Sequence, residues 1–107
     1  MIAYKLLRQR NDGTLGPLFV GRDTVIPVGT WMRAQMNLPH PGLAHRPGYH
    51  CCSTKRAPHI KLRLKNGEQR VWCTVEVDEY TELKRPETQG GLWYISNKMK
   101  VLDVLPS

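Results

Sequence analysis

The stretch from His45 to His59 holds three of the chain's four His, two of its three Cys and the cations Arg46, Lys55 and Arg56, with His40 just upstream. Three kinds of chemistry could use such a set. The first is metal binding. His and Cys are the usual zinc ligands, and His40, His45, His50, Cys51, Cys52, His59 and Cys73 would be ample in number. Their spacing fits no familiar site, because no Cys-x2-Cys pair is present and adjacent Cys51 and Cys52 on a strand would point to opposite faces. No metal is expected. The second is a nucleophilic thiol. Cys51 or Cys52 beside His50, with Lys55 and Arg56 close by, would have a depressed pKa if exposed. His45 or His59 would have to fold back to act as base, and no orienting carboxylate is evident. The third is a nucleotide pocket. Gly48 lets the backbone approach a ligand closely, Tyr49 or His50 can stack on a ring, and Ser53 or Thr54 at a helix N-terminus can take a phosphate. Arg46, Lys55 and Arg56 suit a diphosphate. The bland alternative is an ordinary loop-to-strand junction that needs Pro and Gly for shape alone.

The elements that must position this window are mostly strands. Ile2 to Arg8 reads as one, with Ile2, Tyr4 and Leu6 on one face, and Asn11-Asp12-Gly13 supplies a turn. Leu18-Phe19-Val20 and Thr24-Val25-Ile26 are short candidates, the second interrupted by Pro27 and Gly29. Trp31 to Met36 fits one helical turn or a short strand. Asn37 to Pro47, with three Pro and one Gly, reads as an exposed loop. Tyr49 to Cys52 reads as a short strand, and Ser53 could cap a brief helix through Ile60, limited to one or two turns by Pro58. Ile60-Leu62-Leu64, Asn66-Gly67 and Val71-Cys73-Val75-Val77 give the clearest hairpin signal. Tyr80 to Gly91 reads as a second long loop. Leu92 to Ile95 and Met99 to Leu105 close the chain as two further strands.

The expected fold is therefore α+β: a single compact domain over residues 1–107, mainly a twisted antiparallel sheet with one or two short helices. A chain of 107 residues supports one core. Sixteen Lys and Arg against nine Asp and Glu give a formal charge of +7, which favours nucleic acid, a nucleotide or an acidic protein as partner. A basic protein with no such partner fits the same charge. Lys61-Leu62-Arg63-Leu64-Lys65 is the best cationic stripe, because strand alternation puts its three charges on one face; Arg70 follows it. Three Cys cannot all pair within one chain, and neither a secretory signal nor a membrane span is visible, so a cytoplasmic setting without membrane association is expected.

Two resemblances add to this reading. Leu15-Gly16-Pro17-Leu18-Phe19-Val20, Ile26-Pro27-Val28-Gly29-Thr30-Trp31, His45-Arg46-Pro47-Gly48-Tyr49-His50, Arg70-Val71-Trp72 and Met99-Lys100-Val101, in that order, resemble an uncharacterised domain of phage and prophage proteins. The resemblance spans nearly the whole chain and implies a bacterial host cell as the setting. It also implies an accessory role toward a host macromolecule, including interference with a host process such as defence. The C-terminal half is also similar to the ADP-ribosyltransferase fold. Gly48 to Ala57 resembles that family's Gly-aromatic strand and short Ser- and Lys-containing helix, Val71 to Val77 the strand that follows, and Leu92 to Ile95 with Met99 to Val101 the closing pair. That resemblance implies NAD or ADP-ribose as ligand, with Tyr49 or His50 packing on nicotinamide. Where the family places its catalytic Glu this chain has Gly90-Gly91-Leu92, and Glu87 and Gln89 are the nearest candidates. A neutral residue there would forfeit much of the charge stabilisation of the oxocarbenium-like transition state.

The expected ligand-binding set is thus Arg46, Tyr49, His50, Ser53, Thr54 and Arg56. Lys61, Arg63, Lys65 and Arg70 are the set for nucleic acid or an acidic partner, and a catalytic role falls to Glu87 or Gln89.

Overall fold

Alternation of apolar residues dominates this chain, and in the computed structural model it is realised as antiparallel strands. The structure describes residues 1–17, 24–34, 48–57, 60–63 and 67–106. Six strands are found among them: β1 (Ile2–Gln9), β2 (Leu15–Gly16), β3 (Trp31–Arg33), β4 (Tyr49–Cys52), β5 (Gln69–Lys84) and β6 (Leu92–Val104). The frame is the long β5–β6 hairpin. β1 pairs along the first half of β5, from Ile2 opposite Glu76 to Gln9 opposite Gln69. On the far edge of β6, β4 pairs with 93–96 and β3 with 98–100. β4 then meets β1 at Tyr4 opposite Cys52, so the ring β1–β5–β6–β4 closes on itself as a small barrel. Closure of this kind leaves fewer exposed sheet edges.

Two apolar clusters lie on the two faces of this curved sheet. The inner one holds Ala3, Leu7, Leu15, Ile26, Cys51, Val71, Cys73, Val75, Val77, Met99 and Val101. The outer one holds Leu6, Cys52, Ala57 and Trp93, with Ile60, Trp72 and Leu83 packed on it. Strand alternation explains the division, since Leu6 and Leu7, like Cys51 and Cys52, are neighbours in sequence and belong to opposite faces. The face of β1 that carries Ile2, Tyr4 and Leu6 is therefore the outer one, and Ala3 and Leu7 fill the barrel.

Several expectations need correction. The chain is a single compact domain of antiparallel sheet with almost no helix: a 3-10 turn at Glu87–Gln89 is the helical element among the described residues. The helix expected from Ser53 does not form over 53–57, because the Ser53 hydroxyl donates to Leu92 O at 2.9 Å instead of capping a helix. β5 continues to Lys84 through the expected loop, and the two final strands are one. Glu79, at φ 51, breaks the alternation of β5 and moves its second half to the opposite phase. Opposite Tyr80, Ser96 is fully buried, with its hydroxyl donating to Lys98 O at 3.0 Å. Trp31 begins a strand, not a helical turn. Thr24 to Ile26 is extended without a ladder, although Ile26 N–H donates to Leu15 O. Of the expected 60–64 hairpin arm, the described part reaches β5 through one bridge, Arg63 to Gln69. Leu18 to Val20, and the loop from Asn37 to Pro47, lie outside the described residues.

Candidate functional site

The described part of the His–Cys window divides between the two faces of the sheet. Tyr49 is half-buried and packs on the inner cluster. His50, on the other face, accepts a hydrogen bond at its carbonyl from the Lys5 ammonium at 2.7 Å. Gly48, at φ +124, is where it is because a Cβ there would lie 2.6 Å from Ile95 Cγ2 and 3.0 Å from Ser96 O. The space its side chain would take is filled by β6. Arg46, His40, His45 and His59 lie outside the described residues.

The three Cys are free and buried. Burial pushes the Cys52 thiol up from an ordinary 9.0 to about 12 and Cys73 to about 11, against a smaller downward pull from Lys5. Cys51 moves in the same direction for the same reason. A protonated, buried thiol is a poor nucleophile, so this setting does not favour the thiolate chemistry that the sequence raises. No group of three His, Cys, Asp or Glu that could hold a metal occurs among the described residues.

Native protein at pH 8 should therefore leave all three thiols unmodified by a disulfide reagent that labels the unfolded chain completely. Labelling of one thiol at the unfolded rate would contradict this burial. The same shifts set a pH dependence. Unfolded thiols ionise near 9 while the folded ones keep their protons to about 11 and 12. The native state thus binds more protons in that window, and this contribution to stability, complete below about pH 9, is lost as pH rises through 11 and 12.

The two candidates for a catalytic role sit away from Tyr49. Glu87 is exposed on the 3-10 turn, with its carboxylate against Gly91. Gln89 accepts the Trp93 indole N–H at its carbonyl, 2.7 Å away. On the β4–β6 pairing, Trp93 faces Cys52 whereas Tyr49 faces Ser96. Three residues of strand therefore separate the turn's end of the pairing from Tyr49, about 10 Å.

The cations, by contrast, are gathered. Arg70 N–H donates to Leu62 O at 2.6 Å and its Nη1 donates to Lys61 O at 3.0 Å, which ties the 60–63 segment to the start of β5. Lys61 and Arg63 are exposed on that segment. Arg8 lies directly across from Arg70 and meets Glu68 at 3.9 Å. Arg8 and Arg70 share the outer face with Leu6 and Trp72. Lys65 lies outside the described residues.

At the other end of the same covering segment, Lys55 and Arg56 are exposed, as is Thr54. The backbone of Arg56 presses on Gly90, and the Arg85 guanidinium stacks over Trp93 at 4.5 Å. Sequence reasoning singled out Lys55 beside Arg46 and Arg56, but neither Arg8 nor Arg85. For Arg8 the signal was available in its alternation with Leu6, whereas Arg85 depends on a turn that brings residues 85–91 back against residue 56.

A second surface feature escaped sequence reasoning altogether. A depression of about 520 Å³ is lined by Trp31, Met32, Arg33, Asp78 and Lys98. Its charges are matched: Arg33 and Lys98 both reach Glu79, at 3.5 and 3.3 Å, and Lys100 reaches Glu76 at 3.6 Å while lying 5.1 Å from the centre of the Trp31 ring. The charges around this depression thus largely balance one another. No helix among the described residues is long and apolar enough to cross a membrane. No family model matches this chain, and no curated protein or solved structure matches it either.

Proposed function

We propose that this domain is a nucleic-acid-binding module that uses the basic ridge on its outer face. The observation that carries this reading is the Arg70 tie. Its two hydrogen bonds to the 60–63 backbone hold Lys61 and Arg63 next to Arg70 and Arg8, with Glu68 as the acid in contact. Exposed Lys61 and Arg63, set beside Arg70 and the Glu68-paired Arg8, supply the sequence-independent attraction to phosphates that dominates nucleic-acid affinity. The resemblance to phage and prophage domains supports a setting in which the bound polymer belongs to a phage or its host, with interference in a host process as the consequence. Ribosyl transfer from NAD, or an ADP-ribose pocket at Tyr49, is less well supported. Tyr49 packs on the inner cluster, and Glu87 lies at the other end of the β4–β6 pairing.

Fluorescence anisotropy with labelled DNA and RNA at about 50 mM salt tests the reading. Binding should weaken steeply as salt rises, and Lys61→Glu with Arg63→Glu should reduce affinity at least ~tenfold, with the fold unchanged by circular dichroism. An absence of binding at low salt would overturn the proposal and turn attention to an acidic protein surface.

A further inference from the structure

Resting on the nucleic-acid reading, we infer that the polymer is a duplex, held by its phosphates on a cationic track whose two ends lie on residues 53–57 and 60–63. The patch at Arg8, Lys61, Arg63 and Arg70 is one end of this track. Lys55, Arg56 and Arg85 form the other. The two ends are fastened independently. Arg70 holds the 61–62 backbone, while Ser53 holds Leu92 O, and Arg56 O is set against Gly90. Between them Ala57 and Ile60 anchor the segment on the outer cluster, and Ile60 N–H donates to Ala57 O at 3.0 Å. Five residues from Arg56 to Lys61 span at most about 18 Å. Arg56 and Lys61 therefore lie within about half a helical turn of duplex of each other.

The aromatic residues decide between duplex and single strand. Proteins that hold single strands stack bases on exposed aromatic rings set among the cations. On this flank Trp93 is buried at 6% exposure beneath Arg85, and Trp72 is half-buried in the outer cluster. Among the described residues the exposed rings are elsewhere. Trp31 lies beside Lys100 on the charge-matched flank, and Tyr80 meets Tyr94 edge-on at 5.5 Å. The described residues of the covering segment also include no Asn or Gln that could read an adenine edge. Contact to the backbone of paired strands, without choice of sequence, is what such a track provides.

The test uses the whole chain and a labelled duplex of about 20 base pairs, its single strand, and a second duplex of different sequence, titrated over a range of salt. Lys55→Ala with Arg56→Ala should lower the salt slope by about 2 and weaken duplex binding ~tenfold, while Arg33→Ala on the charge-matched flank changes neither. The two duplexes should bind alike and more tightly than the single strand. If the Lys61/Arg63 pair matters and the Lys55/Arg56 pair does not, the long track is wrong while the binding module stands. Tighter binding of the single strand, or a strong preference between the duplexes, would likewise overturn the inference and leave the module in place. Failure of the unaltered protein to bind any of the three would remove both.

Discussion

Trp93→Ala is expected to lower the unfolding free energy by about 3–5 kcal/mol, the range for deleting a large buried aromatic side chain. Trp93 is the centre of the outer cluster, in contact with the group that includes Leu6, Cys52 and Ala57. Its indole N–H also donates to Gln89 O, and its ring carries Arg85. One substitution would thus remove the packing beneath the covering segment and the anchor of the 3-10 turn together. A domain of this size commonly has only 5–15 kcal/mol to lose, so urea unfolding should show either a midpoint far below that of the parent or no cooperative transition. Trp93→Phe keeps most of the volume and should fall well short of that loss. An alanine variant within about 1 kcal/mol of the parent would mean that the outer cluster contributes little.

Gly90→Ala should cost about 2–4 kcal/mol, from two sources that a single methyl group brings together. The residue sits at φ +99, a conformation that L side chains rarely adopt. A Cβ there would also collide with the Arg56 carbonyl and come within 3.1 Å of Trp93 Nε1. The carbonyl is backbone and cannot swing away as a flexible side chain could. At ~4–8 °C per kcal/mol for a domain of about 100 residues, the melting midpoint should drop by at least ~8 °C. Gly13 serves as the control. It too has positive φ, but its Cβ direction is open, so Gly13→Ala should show the conformational part of the cost without the collision. Equal losses at the two positions would mean that the 53–57 segment does not press on the turn.

These two residues also show how far the sequence could be read. Trp93 belonged to an apolar run recognisable as a strand, but nothing local in that run distinguishes its outward neighbour Trp93 from its inward neighbour Tyr94. The assignment depends on what covers each face. Gly90-Gly91 was legible as a break, and the reason for Gly90 was not, because the Arg56 carbonyl that excludes a side chain arrives from 34 positions upstream in the chain (90 − 56). β1 and the apolar half of β5 were evident from alternation. Their pairing was not, since Asn66-Gly67 advertises a local hairpin while the ladder that forms joins residues 60 or more apart. The second half of β5, from Asp78 to Lys84, hid because it is polar and mostly exposed and shifts phase at Glu79.

The candidate site was partly legible for the same reasons. Lys61 and Arg63 were expected to share one face of a strand; residues 61–63 instead touch β5 through the Arg63 bridge with Leu62 exposed as well, and the Arg70 hydrogen bonds hold them. Arg8 and Arg85 join only through strand pairing and a turn, which charge counting does not reveal. Tyr49 looked like a ligand-stacking aromatic on residue type alone. Its position on a four-residue strand that closes the barrel leaves the ring half-buried against the inner cluster.

The pairing of β1 with β5 has a consequence in time. Gln9 meets Gln69 across 60 residues, and the amino group of Met1 reaches Val77 O across 76. A ribosome adding about 5–20 residues per second needs roughly 3–15 s to supply that partner after β1 has been made. For that interval Ala3, Leu6 and Leu7, all buried in the finished domain, sit on a strand whose β5 edge is unpaired. The nascent chain is therefore adhesive well before the β5–β6 hairpin exists, and a holding chaperone has its best opportunity on β1.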